Sequence, residues 1–186
     1  MNLPNYITLF RIVLVPFFLI SLIYYTPENY YFRTIALIVF FIAIITDALD
    51  GAIARQFKCK TELGTFLDPL ADKLLLLSGF LGITFSSAFI LKPPNWVVII
   101  IVFRDLFIIC GLVIIFLTTN QIRIQPNLIG KLTTFFQMLT ILVLLAGWRY
   151  AHLIWLPAVS LTILSTALYL ARGIKLVNPT PPKNKI

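Results

Sequence analysis

The chain has 186 residues, 60% of them hydrophobic and only 12% charged, against about 25% charged in ordinary soluble domains. A soluble fold of this length cannot hide so much apolar surface, which excludes the common soluble classes and points to a membrane protein. The formal charge of +8 comes from basic residues scattered along the chain, a pattern that suits anionic lipid head groups and argues against nucleic acid as a partner.

At about 20 residues per crossing, hydropathy predicts six spanning helices, over 8–25, 31–56, 63–90, 95–119, 127–147 and 152–174. They make one all-α polytopic domain over 1–177. A β-barrel is excluded because the apolar runs are continuous and do not alternate. The first helix, with Phe10 to Ile23 as its apolar stretch, resembles a secretory leader. No small-residue cleavage site follows it, however, and Pro4, Asn5 and Arg11 make an odd leading region, so it is expected to be retained. The second helix ends in a cluster of Asp47, Asp50 and Arg55, and the third opens with Asp68, Asp72 and Lys73. The fourth carries Arg104, Asp105 and Cys110 within its apolar run, and the fifth starts beside Arg123 and Lys131. The sixth begins at His152, the sole histidine, read as an interface residue with its ring partly wet. Beyond it, Pro179, Pro181 and Pro182 cannot continue a helix, so 178–186 is expected to be a disordered tail.

Basic residues orient such a bundle, because cytoplasmic loops collect Lys and Arg. With both termini inside, the inner side gathers Arg55, Lys58, Lys60, Arg123, Lys131, Arg172, Lys175, Lys183 and Lys185. The outer loops hold only Arg33, Lys92 and Arg149. Both termini are therefore expected on the cytoplasmic side. Cys59 and Cys110 lack partners at motif spacing and are read as bystanders.

The acidic residues are distributed against the demands of solubility. Glu28 and Glu62 fall in loops or at a helix start, whereas all five aspartates, Asp47, Asp50, Asp68, Asp72 and Asp105, fall within predicted spans. One ionised residue at mid-bilayer costs roughly 2.5–3.5 kcal/mol, so four unpaired carboxylates would cost on the order of 10 kcal/mol. Arg55, Lys73 or Arg104 can offset one or two of them; the clustering argues for a shared cation. Asp47 and Asp50 are spaced i, i+3 and Asp68 and Asp72 i, i+4, so each pair shares a helix face. Two antiparallel helices joined by a short turn then present four carboxylates to one shallow cavity, within about 15 Å of the cytoplasmic surface at 1.5 Å per residue. Carboxylate oxygen without His or Cys favours Mg²⁺, Mn²⁺ or Ca²⁺ over zinc, copper or haem.

In full, the segment runs Asp47-Ala-Leu-Asp50-Gly51-Ala52-Ile53-Ala54-Arg55 and, after eight residues, Gly64-Thr-Phe-Leu-Asp68-Pro-Leu-Ala-Asp72. It resembles the D-x-x-D-G-x-x-A-R…G-x-x-x-D-x-x-x-D signature of the CDP-alcohol phosphatidyltransferases, with all eight fixed identities present. At about 5% usage per residue type, such a match arises by chance on the order of 10⁻¹¹ to 10⁻¹⁰ times per start position. The resemblance implies an enzyme that transfers a phosphatidyl group from CDP-diacylglycerol to an alcohol. It implies two divalent ions, Mg²⁺ or Mn²⁺, on Asp47, Asp50, Asp68 and Asp72, with Asp72 also the general base. It further implies that Asp50, Gly51, Ala54, Arg55, Gly64 and Asp68 line the CDP-lipid site, and that the chain is a homodimer. Helix packing is the competing role for Gly51 and Gly64, and membrane anchoring for Arg55.

The opening Pro4-Asn5-Tyr6-Ile7-Thr8-Leu9-Phe10-Arg11, with Pro16, is similar to that of bacterial phosphatidylglycerophosphate synthases and of eukaryote-type cardiolipin synthases. Gly130-Lys131-Leu132-Thr133-Thr134-Phe135-Phe136-Gln137-Met138 is similar to a G-K-x-K-T-x-x-Q-M segment of the former, with Thr133 in place of the second Lys. Phe103-Arg104-Asp105 replaces their usual Ala-Arg-Glu and is closer to cardiolipin synthases. The acceptor is therefore expected to be glycerol 3-phosphate, with phosphatidylglycerol as the alternative. Arg104, Arg123 and Lys131 are the expected acceptor-phosphate residues. Adjacent helix residues diverge by about 100°, so Arg104 is expected to line the cavity rather than pair with Asp105; for Lys131, snorkelling to the interface competes. A cation-coupled transporter is the non-enzyme alternative, but inverted repeats and interrupted helices are not visible.

Overall fold

A computed structural model describes the backbone of residues 3–57, 62–119 and 128–177, and side chains over 6–49, 67–111 and 128–169, with Val113. Among the described residues the chain is all-helical, with α1 Leu3–Ile23, α2 Tyr31–Phe57, α3 Glu62–Phe85, α4 Asn95–Thr119, α5 Leu128–Ala146 and α6 His152–Val177. The six predicted helices are all present, shifted at most a few residues at their ends. The largest shifts are at the start of α1, expected at residue 8 but found at Leu3, and at the end of α3, expected to reach residue 90 but ending at Phe85. Ser86 explains the latter: its hydroxyl accepts from the Ala88 backbone N–H at 3.3 Å, a local alternative to the helical ladder. The predicted tail after 177 lies outside the described residues.

Among the described residues, four helices are long and apolar enough to cross a membrane by length and composition alone, over Tyr6–Ile23, Tyr31–Leu49, Leu128–Ala146 and His152–Tyr169. The polarity of the bundle supports the same conclusion. Phe10, Val13, Phe17, Ile38, Phe41, Ile99, Phe103 and Phe135 face outward, whereas Thr8, Arg11, Lys73, Arg104, Asp105 and Gln137 are buried. That inverts the soluble arrangement and matches a bundle whose polar groups turn inward from lipid. Hydroxyls inside it bond back to their own helix, as Thr133 to the Ile129 carbonyl at 2.8 Å and Thr140 to that of Phe136 at 2.7 Å.

Helix α1 packs on both α2 and α3, α5 packs on α6, and contacts of α3 with α4 and α5 and of α2 with α5 join the two groups. Phe18 meets Phe40 at 5.2 Å between ring centres, in a core shared with Leu22, Leu75, Phe80, Ile141 and Leu144. Where α1 meets α3, a Cβ on Gly82 would lie 2.5 Å from Leu22 Cδ1, so a larger residue there would force Leu22 to shift. Helix α5 ends at Gly147, whose φ of 76° is the left-handed stop that glycine makes without strain. Beside it, Arg33 donates to the Leu145 and Leu144 carbonyls at 2.7 and 3.1 Å, closing the end of α5.

Candidate active site

Asp47, Asp68 and Asp72 sit where α2 and α3 approach α1. Thr8 and Arg11, three residues apart on one face of α1, meet Asp68 and Asp72, four apart on one face of α3. The Thr8 hydroxyl donates to Asp68 Oδ1 at 2.6 Å, and Arg11 Nη1 donates to Asp72 Oδ1 at 2.8 Å. Both contacts ascend together, so α1 and α3 run in the same direction. The same Arg11 nitrogen lies 3.0 Å from Asp47 Oδ1 on α2. One guanidinium nitrogen therefore joins carboxylates from two helices. Arg11 is fully buried, while the Asp47 and Asp72 side chains keep 36% and 24% exposure, so the carboxylates open outward over a cationic floor.

A second ionic cluster begins at the next residue of α3. Lys73 Nζ and Arg104 Nη1 both contact Asp105 Oδ1, at 2.8 and 2.7 Å, and Arg104 Nη2 donates to the Ser165 hydroxyl at 3.2 Å. All three charged groups are buried. Asp105 Oδ2 and Arg104 Nε have no partner among the described residues. The backbone of Gly130, opening α5, comes close: a Cβ there would lie 3.8 Å from Arg104 Nη2 and 3.5 Å from the Tyr169 hydroxyl.

Asp47, Asp68 and Asp72 are thus brought to one region around Arg11 and Thr8. Asp50, Gly51, Ala54 and Arg55 fall on α2 and Gly64 on α3, but their side-chain surroundings lie outside the described residues. So does Arg123 altogether. Lys131 is exposed on the first turn of α5. Arg104 corrects one expectation: it pairs directly with its neighbour Asp105. Divergent Cα–Cβ directions do not prevent this, because the long arginine side chain bends across the gap that backbone geometry opens. Arg11 and Thr8 as aspartate partners were not anticipated from sequence. The available signal was an arginine inside an apolar helix, one turn from a threonine. At the opposite end of the bundle His152 is exposed, its ring 6.2 Å from that of Tyr150, in a cleft with Lys92, Arg149 and Trp155.

Whether the acidic region suits a divalent ion is a question of donor chemistry. Its acceptors are carboxylate oxygens, the hard ligands that Mg²⁺ and Mn²⁺ take, and a cationic nitrogen already occupies the point between Asp47 and Asp72. The residues fit such an ion in kind. Among the described residues no three His, Cys, Asp or Glu groups gather around one point; Arg11 stands between two of the carboxylates, and Thr8 engages the third.

Comparison with known proteins agrees with the geometry. A family model described as CDP-alcohol phosphatidyltransferase matches residues 1–171. A CDP-diacylglycerol–glycerol-3-phosphate 3-phosphatidyltransferase of Bacillus subtilis is 35% identical over 92% of this chain and 95% of its own length. One from Rickettsia typhi is 34% identical over 91% of this chain and 90% of its own. A chain from Mycobacterium tuberculosis named "Probable phosphatidylglycerophosphate synthase" is 34% identical over 94% and 82% respectively.

Proposed function

The chain belongs to the CDP-alcohol phosphatidyltransferase family, and on that premise we propose that it transfers the phosphatidyl group of CDP-diacylglycerol to glycerol 3-phosphate. The acceptor hydroxyl oxygen forms a new bond to the lipid-bearing phosphorus, the bond from that phosphorus to CMP breaks, and the products are phosphatidylglycerophosphate and CMP. The observation that carries this proposal is the convergence of Asp47, Asp68 and Asp72 from two helices beside a half-open surface. The names of the relatives supply the acceptor.

Asp72 takes the proton of the acceptor hydroxyl through the carboxylate oxygen that Arg11 leaves free. Asp47, Asp50, Asp68 and Asp72 would hold two divalent ions, Mg²⁺ or Mn²⁺. When bound, these ions neutralise charge on the diphosphate and the departing CMP. Asp50, Gly51, Ala54, Arg55, Gly64 and Asp68 line the CDP-lipid site, where glycine allows close approach of the nucleotide. Arg104, Arg123 and Lys131 bind the acceptor phosphate. Asp105 fixes the guanidinium of Arg104 from one side, so its remaining donors can meet phosphate oxygens. All six helices span the membrane, in bacteria the inner membrane, with both termini and the aspartates on the cytoplasmic side. The protein works as a homodimer.

The test uses purified protein with CDP-diacylglycerol and Mn²⁺, and glycerol 3-phosphate, phosphatidylglycerol, inositol 3-phosphate and serine as separate acceptors. CMP should appear with glycerol 3-phosphate. Release with phosphatidylglycerol instead would make the chain a cardiolipin synthase, and none with any acceptor would overturn the proposal.

A further inference from the structure

The reaction as proposed gives Arg11 no chemical task, although it is the fully buried charge at the centre of the acidic site. Its Nη1 serves Asp47 and Asp72 together, whereas its Nε and Nη2 are buried with no partner among the described residues. An arginine built for permanence would use its fork on a carboxylate in two parallel bonds. This one bonds through a single nitrogen and leaves two charged donors unsatisfied in a buried place, a costly arrangement. Its hold is therefore weaker than its charge implies.

The point it occupies matters more than its strength. A cation placed between Asp47 and Asp72 needs the same oxygens and the same space, and a guanidinium in contact with a divalent ion would be strongly repelled at such distance. We propose that Arg11 is a built-in competitor for the divalent-cation seat between Asp47 and Asp72: it offsets one of the two negative charges until a divalent ion enters, and the ion enters by displacing it. The proposal rests on the assignment of these aspartates to metal binding, and adds that the protein sets its own metal affinity through α1. Thr8, on the same face of α1, holds Asp68 by a neutral hydroxyl, so the competition is confined to the Asp47–Asp72 pair.

A seat that is open only part of the time lowers apparent affinity by the open fraction. The decisive experiment measures Mn²⁺ binding without substrate, from the electron paramagnetic resonance signal of free Mn²⁺, on the full chain in detergent. Wild type, Arg11→Gln, Arg11→Lys and Asp47→Asn are compared. With the competitor removed, Arg11→Gln should bind Mn²⁺ about tenfold more tightly or better, as for a seat otherwise open about a tenth of the time. Arg11→Lys, which keeps the charge, should stay within a few-fold of wild type. Arg11→Gln should also melt at lower temperature in chelator and recover in Mn²⁺, because the ion replaces the missing charge. Unchanged or weaker Mn²⁺ binding in Arg11→Gln overturns the proposal. Failure of that variant to fold even in Mn²⁺ overturns it as well. Wild type that binds no Mn²⁺, or binding indifferent to Asp47→Asn, would instead remove the metal assignment on which the competition depends.

Discussion

The two ionic clusters that meet at Asp72 and Lys73 carry opposite surpluses among the described residues. Around Asp72, the guanidinium of Arg11 faces two carboxylates, Thr8 holds a third on Asp68, and all three stay partly exposed. Around Lys73, two cations share one oxygen of Asp105, and all three groups are buried. A carboxylate-rich, open cluster attracts cations, whereas a cation-rich cluster with an unpartnered Arg104 Nε attracts an anion. Placed side by side on α3, they suit the two halves of one reaction: a nucleotide diphosphate that arrives with metal, and an acceptor that arrives with its own phosphate. The surplus charge, more than the number of ion pairs, separates a site from a structural lock.

Substitutions at each cluster sharpen the contrast. Asp72→Asn removes the proposed base and should lower CMP release by about 10⁴-fold while CDP-diacylglycerol binding is largely retained; full activity would place the base elsewhere. Asp105→Asn leaves Lys73 and Arg104 without their shared anion and should cost roughly 3 kcal/mol or more of stability, visible as a lower melting temperature in detergent. Arg104→Lys preserves charge but not the planar fork; the KM for glycerol 3-phosphate should rise about tenfold, with that for CDP-diacylglycerol unchanged. Equal changes in both KM values would argue against an acceptor role. Thr8→Val removes one hydroxyl donor to a carboxylate and should destabilise by about 1 kcal/mol, the smallest effect of the four.

The fold was largely legible because apolar runs mark membrane helices whatever their neighbours. Helix α4 begins directly after Pro93 and Pro94, and its first turn bonds back to the Pro94 carbonyl. The apolar residues past Phe85 concealed the end of α3, since hydropathy does not register a serine that turns the chain. Within the site, Asp47, Asp68 and Asp72 were legible because their spacing repeats at helical pitch. Their partners were not. Arg11 meets Asp72 across 61 residues and Thr8 meets Asp68 across 60, contacts that exist only because α1 lies parallel against α3. The Arg104–Asp105 pair was concealed differently: helical geometry describes where a side chain starts, and a long arginine ends elsewhere.

The central claim is that aspartates within apolar helices are tolerated here because divalent ions bind among them and grip a diphosphate. Its most direct test is anomalous diffraction at the manganese edge from crystals grown with Mn²⁺ and CDP-diacylglycerol. The account predicts two manganese peaks within coordination distance of Asp47, Asp50, Asp68 and Asp72, with the diphosphate against them. Manganese absent from these carboxylates while the nucleotide is bound would contradict it.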